Sequence, residues 1–71
     1  MKTSDLSAPP PRRRLLRLTP AAEYTSLSTW KLRQLIQTGQ IPVVQPEDGS
    51  PFLVDVRDLD GWIERNKRIA S

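Results

Sequence analysis

Hydrophobic positions recur along this chain in short stretches, and their spacing changes from one stretch to the next. Between Leu27 and Pro42, Leu32, Leu35 and Ile36 fall at i, i+3 and i+4, a narrow apolar stripe on a helix. Ser28 reads as its N-cap, because its hydroxyl can accept from the exposed N–H groups of the first turn. Gly39 reads as the residue after its end, since glycine takes positive φ without a Cβ penalty. Pro42 then follows where a helix cannot continue. The polar positions of this helix are Thr29, Lys31, Arg33, Gln34 and Gln37, with no acid among them.

Upstream, Thr19-Pro20 predicts another helix start, with Thr as N-cap and Pro at the first helical position. Ala21 to Tyr24 continue it for a short run, and Ala22 is small enough to let a neighbouring helix approach. Thr25-Ser26-Leu27 is a tight connection, with Leu27 placed to plug the turn. Two short helices joined in this way predict a helix-turn-helix.

Downstream the period changes. Ile41, Val43 and Val44 favour strand, as do Phe52, Leu53 and Val54, and residues 45–51 between them are dense in turn formers. The expected element is a β-hairpin whose Val43, Phe52 and Val54 face the core. A hairpin directly after a helix-turn-helix is a wing. Asp55 then predicts the N-cap of a last helix, with Asp58 in the manner of a capping box. Leu59, Trp62 and Ile63 form its apolar stripe, and Arg65, Lys67 and Arg68 lie where cations favour the helix dipole. Trp62 and Phe52 are expected in the core. Gly61 weakens this helix by about 1 kcal/mol relative to alanine, and nothing in the sequence accounts for it.

The pattern leaves residues 1–17 without a packed element. Met1 to Pro11 is rich in Ser, Ala and Pro and is expected to be disordered. Arg12, Arg13 and Arg14 follow at once. The expected organisation is a disordered basic arm over 1–17 and one folded domain over 18–68. The fold class that results is α+β: a small winged helix-turn-helix behind that arm.

Composition narrows the chemistry. At 71 residues the chain has room for one marginal core. It has no cysteine and no histidine, so thiolate and imidazole metal sites and Ser–His pairs are excluded. The inventory argues against an enzyme and calls for no cofactor and no small-molecule substrate. There is no apolar run of membrane-spanning length and no apolar leader, so the expected setting is the cytoplasm, with no membrane partner.

The formal net charge is +3, and it is uneven: +4 over residues 1–17, +1 over 18–42 and −2 over 43–71. That asymmetry suits a polyanion approached from one side. The acid-free helix face carries donors that can reach phosphates and base edges. Arg33 and Gln34 are the candidate base readers, because Arg pairs with guanine and Gln with adenine by two hydrogen bonds. Thr29 and Lys31 are candidate phosphate anchors, with Ser28 at the helix end and Gln37 one turn beyond. Trp30 is expected to be partly buried, against the wing or against a DNA sugar. Arg12, Arg13 and Arg14 could enter the minor groove or clamp phosphates from the arm. Arg57 could contact a phosphate or form a surface ion pair.

Several segments together carry a family resemblance. They are Ala22-Glu23-Tyr24, Leu27-Ser28, Trp30, Leu32-Arg33, Leu35-Ile36, Gly39, Ile41-Pro42, Val54 to Asp60 and Trp62-Ile63-Glu64. In order and spacing the chain from Leu18 to about Lys67 resembles the small excisionase-like helix-turn-helix domains, relatives of the MerR-type winged-helix domain. The resemblance implies a double-stranded DNA-binding module whose second helix enters the major groove and whose wing tip reaches the adjacent minor groove. It implies either a recombination directionality factor, which binds repeated sites side by side and bends DNA, or a small transcription regulator. A recombinase or integrase is then an implied partner, and the chain is expected to be a monomer that associates on DNA. Family wings usually end in Arg or Lys, whereas this tip is Glu47-Asp48-Gly49, which phosphate would repel. Ser26 stands where the family's turn usually has Gly. The acidic tip leaves open a third reading, an interaction module that docks a recombinase or polymerase subunit.

Overall fold

A computed structural model describes residues 13–70. In chain order these form β1 (Leu15–Leu16), α1 (Leu18–Thr25), α2 (Thr29–Gln37), β2 (Val54–Asp55) and α3 (Val56–Arg65). This is a small α+β domain of three helices and a two-stranded antiparallel sheet.

The ends of α2 follow from local chemistry. Ser28 is the N-cap, and its hydroxyl accepts from the Lys31 N–H at 3.0 Å. At the other end Gly39 adopts φ +80°. Its N–H donates to the Ile36 carbonyl at 3.1 Å, and that of Gln40 to Leu35 at 2.9 Å. This crossed pair of bonds is the Schellman arrangement, and it turns the chain back so that Ile41 enters the core.

The same device ends α1, with a different residue. Ser26 takes φ 61°, the Ser26 N–H donates to Glu23 at 3.3 Å and the Leu27 N–H to Ala22 at 3.0 Å. A serine therefore holds the left-handed position that glycine fills at the end of α2. The start of α1 differs from the expectation. Arg17, not Thr19, is the N-cap, and it offers no side-chain cap. Pro20 still fits, because the first N–H groups of any helix lack intrahelical partners. The first turn closes through the Ala21 N–H on the Arg17 carbonyl at 2.9 Å.

Seven residues make the buried core: Ala21, Ala22, Leu32, Leu35, Ile41, Val54 and Leu59. The two alanines let α1 lie close against α2 and α3. Leu27 packs on this core from the turn, as expected, and Leu16, Leu18, Ile36 and Trp62 pack around it. Trp62 is half-buried at its margin rather than enclosed, and Phe52 is half-buried without being among the residues packed on the core.

The expected wing is where sequence and structure part most. Only Val44 and Leu53 pair between its two arms, through reciprocal backbone bonds of 2.7 Å. Pro42, Pro46 and Pro51 flank this pair and have no N–H to extend a ladder. Val43 is exposed, Phe52 is half-buried, and of the expected inward trio only Val54 is fully enclosed. Val54 and Asp55 pair instead with Leu16 and Leu15. The Val56 N–H adds a bond to the Arg14 carbonyl at 2.8 Å. The chain from Arg14 onward thus belongs to the folded domain and not to an arm. The expected disorder of Met1 to Pro11, and Arg12 with it, lies outside the described residues.

Candidate nucleic-acid interface

Helix α2 is fastened from one side only. Leu32 and Leu35 are buried beneath it, while Thr29, Trp30, Lys31, Arg33, Gln34 and Gln37 are all exposed. Its first turn has no acid, so its N-terminal dipole is not neutralised by its own sequence. Ser28 is exposed too, with its hydroxyl occupied by the cap bond.

Trp30 corrects an expectation. It is 67% exposed and is not among the residues that form or pack on the core. The reason lies in the helical period. Trp30, Arg33, Gln34 and Gln37 stand at i, i+3, i+4 and i+7, one stripe, and Trp30 is two residues from Leu32, which places it on the opposite side. That spacing was present in the sequence and assigns Trp30 to the polar face.

The three arginines before β1 do not act alike. Arg12 lies outside the described residues. Arg14 is committed to Asp55: its Nε donates to Oδ2 at 3.1 Å, and its Nη2 lies 3.0 Å from the same oxygen. Asp55 also accepts from the Arg57 N–H at 2.9 Å, as the N-cap of α3. The hydrogen bond from Arg14, then that from the Arg57 backbone, hold the Asp55 carboxyl below the ordinary carboxylate range. The same bond raises Arg14 above its usual value.

Arg13 is placed differently. With Arg17 and Arg33 it lines a groove of about 840 Å³ between β1, the start of α1 and residues 49–53. Arg17 is not among the candidates of the sequence, which stop at the run Arg12-Arg13-Arg14. Its signal was the alternate spacing of Arg13, Leu15 and Arg17 on one face and Arg14 on the other, with Leu16 also reaching the groove. Along an extended chain such alternation sends neighbours to opposite faces.

The acids lie outside this groove, and Asp60 lines a second groove together with Arg13. Glu47 and Asp48 are exposed in the turn between Val44 and Leu53 and do not line the groove. That turn is shaped by Ser50, whose hydroxyl donates to the Glu47 carbonyl at 2.7 Å and accepts from the Glu47 N–H at 3.2 Å. Asp60, on α3, accepts from the Tyr24 hydroxyl at 2.6 Å and so ties α3 to α1. Glu64 pairs with Lys67 at 2.9 Å. Arg57 is exposed.

Among the described residues no group of three or more His, Cys, Asp or Glu is arranged to hold a metal ion. No helix there is long and apolar enough to cross a membrane. Compared with protein-family models, curated proteins and solved structures, the chain matches none of them.

Proposed function

We propose that this chain is a sequence-specific double-stranded DNA-binding protein and that α2 is its reading helix. The observation that carries the proposal is the division of α2. Its apolar side is fixed in the core, and its outer side presents Thr29, Trp30, Lys31, Arg33, Gln34 and Gln37 without a single acid. A helix held this way can lie in the major groove, where Arg33 and Gln34 reach base edges and Lys31 and Thr29 meet phosphates. The α1–α2 pair then serves as a helix-turn-helix, and residues 43–54 as a reduced wing.

Within that reading we infer an excisionase-like accessory factor. Copies bind adjacent repeats side by side, bend the DNA and bias a recombinase toward excision. The family resemblance of the helix-turn-helix and of the Val54 to Glu64 segment supports this reading.

The test is selection of bound sites from a random duplex pool, followed by variants on the selected site. Arg33→Ala is expected to lose about 1–3 kcal/mol on that site and to relax its sequence preference. Lys31→Ala is expected to weaken all duplexes about equally. Failure to enrich any sequence would remove the specific-binding reading. Electrophoretic bending measurements and excision assays with a co-encoded integrase then separate an excision factor from a transcription regulator, which would leave excision unchanged.

A further inference from the structure

We propose that the groove lined by Arg13, Arg17 and Arg33 seats the phosphodiester backbone of the duplex that α2 reads, in the place of a basic wing tip. The proposal rests on the DNA reading above and adds a folded second hold to it.

Four observations converge on the groove. It is lined by three arginines and by no acid. None of the three is in an ion pair among the described residues, whereas Arg14, beside them in the chain, is. Three like charges around one groove repel one another, and a polyanion relieves that repulsion. Arg33 also belongs to the outer face of α2, so the groove and that face share a side chain. Its remaining walls include Leu15, Pro20 and Phe52, apolar surface against which a deoxyribose can pack.

The position answers the difficulty posed by the wing. Glu47 and Asp48 repel phosphate, yet the residues immediately after them, Gly49 to Leu53, form one side of the groove. The wing thus supplies a neutral wall, and the charge comes from β1 and the start of α1. An acidic peptide would satisfy the arginines equally well. The sharing of Arg33 with the reading face favours the duplex.

The experiment compares the full chain with an Arg13→Gln/Arg17→Gln variant, in duplex-binding titrations across a salt series. Both arginines are exposed, and thermal unfolding of the variant should match that of the parent. Expected is a loss of about tenfold on selected and random duplexes alike. The slope of log K against log salt should become shallower by about one for each arginine removed. An Arg13→Lys/Arg17→Lys variant should recover most of the slope, which a purely structural role would not predict. An unchanged affinity and slope in the Gln variant would overturn the proposal while leaving α2 as the reading helix. A Gln variant that loses a glutamate-rich peptide but keeps the duplex would overturn it in favour of a protein partner. If the Gln variant loses the duplex while Lys31→Ala binds normally and Gln34→Ala leaves the sequence preference unchanged, the groove stands as a duplex-binding site and the reading helix falls.

Discussion

Arg14 and Asp55 are 41 residues apart in sequence, and the Arg14 Nε donates to the Asp55 carboxylate at 3.1 Å. One carboxylate there serves two tasks, capping α3 through the Arg57 N–H and holding the chain that leads into β1. Asp55→Asn isolates the charge, because asparagine is an equally good N-cap. The folded-state Asp55 carboxyl lies below its ordinary value. Its stabilisation is therefore fully present above the unfolded value of about 3.9 and is lost as pH falls through the folded value. Urea unfolding should show the variant less stable at neutral pH, with the difference shrinking on acidification below about pH 4. A difference that is the same at both pH values would contradict the ion pair's role.

Ser26 holds a left-handed backbone at φ 61° in the turn between α1 and α2. A residue with a Cβ is strained there by about 1–2 kcal/mol, which glycine avoids. Glycine also has more freedom in the unfolded chain, which offsets part of the gain. Ser26→Gly should raise stability by about 0.5–1 kcal/mol, read as a higher urea midpoint with an unchanged slope.

Gly61 gains a partial account from the packing. A Cβ placed there would meet Arg65 Nη1 at 3.1 Å, so the Arg65 side chain lies back across the glycine. Its other terminal nitrogen reaches the Gln40 carbonyl at 3.4 Å. The far end of an arginine is easily displaced and that contact is long. Gly61→Ala should therefore stabilise α3, by up to about 1 kcal/mol from helix propensity. Thermal unfolding checks this, and a lowered midpoint would mean that the Arg65 contact matters more than its length suggests.

Trp30 is exposed, so Trp30→Ala should change stability by no more than about 0.5 kcal/mol. Duplex binding should weaken all the same, because the indole lies on the stripe of Arg33, Gln34 and Gln37. Parallel urea and anisotropy titrations separate the two effects. A large loss of stability would return Trp30 to a packing role.

What could be read from the chain was what local chemistry decides. Ser28 and Gly39 bound α2 as their neighbours dictate, and Asp55 caps α3. The stripe Leu32, Leu35 and Ile36 set the inner face of α2 by spacing alone. Strand β1 could not be read in this way. Two leucines between arginines carry no strand signal until Val54, far along the chain, supplies the edge they pair with. The wing misled for a related reason, since residues of good strand propensity were interrupted by prolines that admit one bridged pair. The candidate face was largely legible, but Arg17 and the pairing of Arg14 depended on that unseen strand.

The proposed function rests on duplex binding by α2 and the adjoining arginines. Its most direct measurement is the affinity of the full chain for a selected duplex between about 50 and 200 mM salt. Binding that weakens steeply, with a log–log slope of about −3.6 from the four cations Lys31, Arg33, Arg13 and Arg17, is the predicted result. Affinity that does not change with salt, or no binding to any duplex in that range, would contradict it.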